Sequence, residues 1–120
     1  MEGLDDRALA RVADYFKALA EPPRLKLLNA LREGERNVTE LTALLGCSQA
    51  NVSKHLAMLA DHGFVRRESR GTSVYYRIAD PRTYQLCDLV CGQIAERLGE
   101  EARSNATLVL RPRRGARGRR

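Results

Sequence analysis

The sequence predicts a mainly α-helical fold with one small β-hairpin, and three observations lead to this class. Apolar residues recur at helical spacing through most of the chain. The period changes to that of β-strands only between Phe64 and Ile78. The 120 residues contain no candidate interdomain linker, so we expect one domain at 1–103, followed by a disordered arginine-rich tail at 104–120.

The first two predicted helices are separated by a pair of prolines. The first helix extends from about Asp5 to Ala20 and has a wide apolar stripe. Pro22 and Pro23 interrupt that run and suit the first turn of a second helix, because the first helical positions need no amide hydrogen. The second helix is predicted to stop near Gly34.

Two further helices follow with almost nothing between them. Thr39 and Glu40 open a third, short helix that ends at Gly46. Ser48 is the predicted N-cap of a fourth helix, which extends to about Asp61. Two helices joined by so short a turn, with glycine in it, are typical of a helix-turn-helix.

A β-hairpin and one long helix complete the pattern. The runs FVRRES and SVYYRI are rich in β-branched and aromatic residues, and residues 70–72 separate them with a glycine at the tip. The last helix begins after Asp80 and Pro81, and its apolar pattern fades after Glu101. This order of elements is that of a winged helix-turn-helix.

The fourth helix has a slim polar face opposite its core edge. If Val52 and Leu56 face the core, a turn of about 100° per residue places only small or hydrogen-bonding side chains opposite. The DNA major groove, about 12 Å wide, admits such a helix, and amide side chains can pair with an adenine edge. We therefore predict that this helix contacts DNA. The alternative is an ordinary amphipathic surface helix with a solvated face. For His55, a packing role is favoured over a base contact. The predicted contacts are Ser48, Gln49, Ala50, Asn51, Ser53, Lys54 and His55.

The excess of basic residues is concentrated in two places. The last ten residues, RPRRGARGRR, hold six of the 21 basic side chains, so the rest of the chain has 15 basic and 15 acidic residues. A local excess lies in the predicted hairpin, where Arg66, Arg67 and Arg70 are placed to contact the DNA backbone or minor groove. The alternative for these arginines is a charged edge strand that discourages aggregation.

Two stretches resemble one known family. They are FKALAEPPRLKLLNAL, from Phe16 to Leu31, and VTELTALLGCSQANVSKHLAMLADHGFVRRESRGTSVYYRI, from Val38 to Ile78. Both resemble the arsenic-repressor (ArsR/SmtB) family of bacterial winged-helix regulators. The resemblance implies a homodimeric repressor that dimerises through its first and last helices, binds a palindromic double-stranded DNA operator and leaves it when an inducer binds. The apolar stripes on those two helices fit such a dimer independently.

Two cysteines lie four residues apart on the predicted last helix. Cys87 and Cys91 therefore share one helix face, with Cβ atoms about 5–6 Å apart. Two such thiolates can chelate one soft ion, and Cys47 is the only other cysteine that could supply a third ligand. A disulfide within the helix is disfavoured because both side chains lean the same way. The alternative is that both cysteines pack as small apolar residues.

The resemblance implies that these cysteines sense an inducer. Family members use cysteine pairs or trios for trivalent arsenic or antimony, and others use cysteines as redox or persulfide sensors. Residues 38–45 lack the cysteines that arsenic repressors often carry, and the last helix lacks the histidines of zinc-type members. We expect As(III) or Sb(III) at Cys87 and Cys91, with Cys47 as a further ligand and no constitutive cofactor. Redox or persulfide sensing by the same thiols stays open.

Other classes of protein fit the sequence less well. A thiol enzyme would need a nearby base or a C-x-x-C at a helix start, and both are absent, so we predict no enzyme. An RNA-binding module would need more stacking aromatic residues than the basic segment holds. The acidic start MEGLDDRALA has no signal-peptide pattern, and no stretch reaches the ~20 apolar residues that span a bilayer. We therefore expect a cytoplasmic protein with no membrane partner.

Overall fold

The computed structural model of the protein describes residues 3–109, and their side chains through residue 104. The first of its two compact units ends at Pro81, and the second begins at Arg82. The predicted mainly α fold with a β-hairpin is confirmed. In chain order, the elements are α1 (Asp6–Ala18), α2 (Pro22–Ala30), β1 (Arg36–Asn37), α3 (Val38–Leu45), α4 (Gln49–Asp61), β2 (Val65–Arg70), β3 (Ser73–Ile78) and α5 (Arg82–Val109).

Helices α1 and α2 begin as their sequences predict. The Asp5 carboxylate caps α1 by accepting a hydrogen bond of 2.9 Å from the backbone N–H of Ala8. The two prolines occupy the first turn of α2. Helix α2 ends at Ala30, earlier than the predicted stop near Gly34, because the chain then turns and enters a strand at Arg36.

Local hydrogen bonds define the start of each of the two helices in the helix-turn-helix. Asn37 and Glu40 form a capping box: the Asn37 Oδ1 accepts from the Glu40 N–H at 2.8 Å, and the Glu40 Oε1 accepts from the Asn37 N–H at 2.9 Å. Gly46 ends α3 with a φ of 72°, a conformation that favours glycine. The Ser48 hydroxyl then caps α4 by accepting from the Asn51 N–H at 3.1 Å, which confirms its predicted role.

A Schellman motif leads the chain from α4 directly into the hairpin. The N–H of Phe64 bonds to the carbonyl of Leu59 at 2.9 Å, and the N–H of Gly63 bonds to the carbonyl of Ala60 at 3.0 Å. Gly63 has a φ of 80°, and the flanking Leu59 and Phe64 are both buried. The base of the hairpin is therefore joined tightly to the end of α4.

The sheet has three antiparallel strands in the order β1-β3-β2. Strands β2 and β3 form the predicted hairpin, but Arg70 pairs with Ser73, so the turn contains only residues 71–72 and Arg70 belongs to the strand. Strand β1 is not predicted from the sequence. Its two residues pair with Tyr76 and Tyr75 of β3, and two residues are too few to show a strand period.

The core of the first unit lies where α2, α3, α4 and the sheet meet. Helix α4 packs against α2, α3 and β2. Val52, Leu56 and Leu59 are fully buried, as their spacing predicts. The other buried apolar residues of this unit are Ala18, Leu27, Leu28, Leu31, Leu41, Phe64, Val65 and Tyr76.

Helix α5 is continuous from Arg82 to Val109 and has large apolar side chains at its surface. It extends beyond residue 104, where the tail is predicted to begin, and residues 110–120 of that tail lie outside the described part. Within the described residues, no helix is long and apolar enough to cross a bilayer. The exposed apolar residues of α5 are Leu89, Val90, Ile94 and Leu98.

The first testable prediction concerns Gly63. Gly63→Ala places a Cβ on a left-handed residue, so we expect the free energy of unfolding to fall by about 1–2 kcal/mol. Gly63→Asn is the matched control, because asparagine tolerates this conformation at a helix end and should cost less. Chemical denaturation of the three proteins measures the difference. Equal stability of the alanine and asparagine variants would contradict the role given to this turn.

Candidate nucleic-acid interface

The outward face of α4 is open to solvent along its first two turns. Lys54 carries the only full charge there, and the opposite edge is buried. His55 is half-buried beside that edge. Of the residues predicted to contact DNA from this segment, the exposed ones are Ser48, Gln49, Ala50, Asn51, Ser53 and Lys54.

A groove of about 340 Å³ separates the start of α4 from the hairpin. Gln49 and Ser53 line it on the α4 side, and Arg67 and Tyr76 line it on the sheet side. Its other lining residues come from β1, the start of α3, the hairpin turn and the start of β3: Asn37, Val38, Thr39, Thr72, Ser73 and Val74. Hydroxyl, amide and guanidinium groups of this kind are common contacts to a nucleic-acid backbone.

The hairpin divides its three arginines between two faces of the sheet. Side chains alternate along a strand, and Arg67 pairs with the buried Tyr76, so Arg67 lies on the face that borders the groove. Arg66 and Arg70 belong to the opposite alternation, and we call this the outer sheet face. The sequence places the three arginines together as one cluster, whereas the structure separates them. The alternation of side chains along β2, with its period of two residues, is the sequence signal that would have placed them on different faces.

Arg70 is engaged by two carboxylates on the outer sheet face. Its guanidinium donates to both oxygens of Glu35, at 2.6 and 2.9 Å, and to Oε1 of Glu68 at 3.0 Å. The guanidinium carbon also lies 4.4 Å from the centre of the Tyr75 ring. Arg77 adds a longer ion pair of 3.6 Å to Glu68. Sequence reasoning missed Glu35 because it lies 35 residues before Arg70.

These contacts shift the ionisation of the groups involved. The hydrogen bonds from Arg70 hold the pKa of Glu35 and of Glu68 below the ordinary value of 4.5. The same hydrogen bonds raise the pKa of Arg70. All three groups are therefore charged at neutral pH.

The three cysteines fall in two places. Cys47 is half-buried in the turn between α3 and α4. Cys87 is half-buried and Cys91 is exposed, one turn apart on α5 as predicted, and neither forms a disulfide. In the part of the chain that the structure describes, no group of three or more His, Cys, Asp or Glu side chains is arranged to hold a metal ion. The predicted use of the thiols as ligands stays a prediction.

The second testable prediction is a pH dependence of the Arg70 contacts. Because the pKa of Glu35 is lower in the folded than in the unfolded chain, its stabilising effect is complete above about pH 4.5 and is lost as the pH falls through the lowered pKa. Melting temperatures of wild type and Glu35→Gln should therefore differ at neutral pH and converge in acid. Glu33→Gln removes an exposed carboxylate that has no contact with Arg70 and is the matched control. A difference that persists unchanged in acid would contradict this.

Known proteins resemble the chain in sequence. A family model described as "Bacterial regulatory protein, arsR family" matches residues 21–67. The probable mercury resistance operon repressor of Streptomyces lividans is 43% identical over 74 residues, and the match covers 62% of this chain and 59% of that protein, less than two thirds of its length. The HTH-type transcriptional regulator NmtR of Mycobacterium tuberculosis is 40% identical over 85 residues, and the match covers 71% of each.

Solved structures resemble it in fold. The homodimeric winged helix-turn-helix DNA-binding domain of a possible ArsR-family regulator from Mycobacterium bovis matches with a TM-score of 0.68 and 35% identity, covering 81% of this chain and 95% of that one. The AntR antimony-specific transcriptional repressor matches with a TM-score of 0.70 and 35% identity, covering 81% and 88%. These structures confirm the winged helix-turn-helix fold, and the family consists of regulators, so the prediction of no enzyme is confirmed. With this fold, this family match and this identity to NmtR, the chain belongs to the arsR family of bacterial regulatory proteins.

Proposed function

We propose that the chain is a homodimeric transcriptional repressor that binds a palindromic DNA operator and is released by As(III) or Sb(III). The DNA-binding part of this proposal rests on one observation: α4 has one buried apolar edge and one exposed polar edge. Val52, Leu56 and Leu59 have no exposed surface, while the polar side chains opposite them are exposed. A helix held in this way can enter a major groove without disturbing its own core.

The exposed groups in the first two turns of α4 match the chemistry of DNA. The amides of Gln49 and Asn51 offer the paired donor and acceptor that match an adenine edge, and Ala50 suits a thymine methyl group. Ser48, Ser53 and Lys54 suit phosphates at the rim of the groove. Arg67 lines the groove beside α4, so it can follow the DNA backbone next to the major groove.

A dimer is supported by apolar surface in both units. On α1, Leu9 and Phe16 are exposed, and α5 exposes Leu89, with 70% of its surface accessible, and Ile94. Apolar surface of this extent marks an interaction site. The structural relative from Mycobacterium bovis is described as homodimeric. Two-fold symmetry would place two copies of α4 about 34 Å apart, one turn of DNA.

The inducer site is assigned to the thiol pair of α5. Cys87 and Cys91 are one turn apart, within reach of one soft ion that prefers thiolate ligands. AntR is described as antimony-specific and the Streptomyces relative as a mercury resistance repressor, so both names point to soft, thiol-seeking ions. Cys47 is the remaining cysteine for a third ligand. Because α5 also carries the exposed apolar residues, an ion bound there would change the spacing of the two α4 helices.

The third testable prediction is that the amide of Asn51 reads a base. Asn51→Ala should weaken operator binding by about 10- to 100-fold and relax the preference at one base pair, because it removes a paired contact. Asn29→Ala, at an exposed site on α2, is the matched control and should bind as wild type does. Competition between the chain's own upstream DNA and scrambled DNA measures both effects. If wild type shows no preference between the two, the proposed function fails.

The fourth testable prediction concerns release by arsenite. Arsenite or antimonite should dissociate the wild-type complex, whereas Cys87→Ser and Cys91→Ser should stay bound, because serine is similar in size and lacks the thiolate. Cys47→Ser is the comparison: loss of release would make it the third ligand, and normal release would limit the site to the α5 pair. Each variant must bind the operator normally without arsenite.

The rival inducer is tested in the same experiment. If Cys87→Ser is released by arsenite as readily as wild type, the assignment is wrong. Release by polysulfide or peroxide, with sulfur bridges or caps at these cysteines in the mass spectrum, would instead identify a redox or persulfide sensor.

A further inference from the structure

We infer that Arg70 positions the hairpin by its bond to Glu35 and does not contact DNA, whereas Arg67 makes the phosphate contact beside α4. This inference rests on the proposed function. It revises the sequence-based expectation that Arg66, Arg67 and Arg70 act together on the DNA backbone.

The contacts of Arg70 cross the whole sheet. Arg70 ends β2, its guanidinium lies over Tyr75 of β3, and its bidentate partner Glu35 immediately precedes β1. A bidentate ion pair between a guanidinium and a carboxylate fixes the relative orientation of the two groups as well as their distance, because both groups are planar. The tip of the hairpin is therefore bonded to the chain that enters α3.

The charge balance immediately around Arg70 disfavours phosphate binding by this residue. Glu35 and Glu68 balance the charges of Arg70 and Arg77, so the four together are neutral. If Arg70 turned to a phosphate, Glu35 would lose its bidentate partner and Glu68 would keep only the longer ion pair to Arg77, while a further negative charge approached. Arg67 is placed differently: it lines the groove beside α4, and its guanidinium donates a long hydrogen bond of 3.5 Å to the Ser69 hydroxyl.

The hairpin is thus held at its base and at its tip. At the base, the Schellman motif at Gly63 joins it to the end of α4. At the tip, Glu35 joins Arg70 to the chain two residues before the capping box of Asn37, which starts α3. These two attachments together set the distance between Arg67 and α4. That distance decides whether Arg67 and α4 can contact the same DNA duplex.

The experiment measures operator affinity over a range of salt concentrations for single and double variants. Each phosphate contact adds about 0.9 to the slope of log affinity against log salt. Because the proposed dimer carries two copies of Arg67, Arg67→Gln should lower the slope by about 1.8, which is two contacts. Arg70→Gln and Glu35→Gln should each weaken binding several-fold with the wild-type slope, and their combination should be no weaker than either alone. The charge exchange Glu35→Arg with Arg70→Glu should restore part of the affinity.

Two outcomes would overturn the inference. One is a fall in slope with Arg70→Gln equal to that with Arg67→Gln, which makes Arg70 a phosphate contact. The other is tighter binding by Glu35→Gln, which makes Glu35 a carboxylate that withholds Arg70 from DNA.

A measurement without DNA separates this inference from the proposed function. Amide hydrogen exchange in residues 66–75 should accelerate by the same factor in Arg70→Gln and Glu35→Gln, and should not change in Arg67→Gln. Unchanged exchange in the first two variants would overturn the positioning role, whether or not the chain binds an operator. Absence of sequence-specific binding by wild type would instead count against the proposed function alone.

Discussion

The complete burial of one edge of α4 is the constraint on which the rest of the structure depends. Val52, Leu56 and Leu59 recur at three- and four-residue spacing and are removed from water by α2, α3 and β2. Burying a side chain of this size stabilises a fold by roughly 1.5–3 kcal/mol. This edge therefore sets the rotation of α4 about its axis. The rotation in turn directs the amides and hydroxyls of the other edge outward.

The hairpin depends on α4 for its place and on the outer sheet face for its direction. Only residues 62–64 separate α4 from β2, and the Schellman motif at Gly63 bonds them to the last turn of α4. The start of the hairpin is therefore held at the end of α4. The bond between Arg70 and Glu35 then acts across three strands. Exposed ion pairs contribute little to the stability of a protein. Their effect here is directional, since a bidentate pair adds geometric specificity.

Helix α5 combines two features on one element. Its exposed apolar residues suit a partner helix, and its two cysteines lie one turn apart. In the proposed function this combination matters, because an ion bound by the thiols changes the same surface that holds two copies together. An inducer acts only through a difference in its affinity for two arrangements of the protein. A site within the dimer surface provides such a difference directly.

Features that arise from residues close together in the sequence could be predicted from the sequence alone. Ser48 as an N-cap, Gly46 as the end of α3 and the buried edge of α4 all follow from residues within one or two turns of each other. The accessible face of α4 and the spacing of the α5 cysteines follow for the same reason, because helical geometry is a short-range rule.

The sheet and its ion pairs, by contrast, depend on contacts between distant segments of the chain. Strand β1 has two residues, and it exists because β3 offers it a hydrogen-bonding edge. Glu35 and Arg70 are 35 residues apart, and their pairing follows from the order β1-β3-β2. The alternation of side chains along β2 separates Arg67 from Arg70, and the tertiary structure decides which face borders the groove and which meets Glu35. Contacts between distant segments depend on how elements pack, and no local spacing encodes that packing.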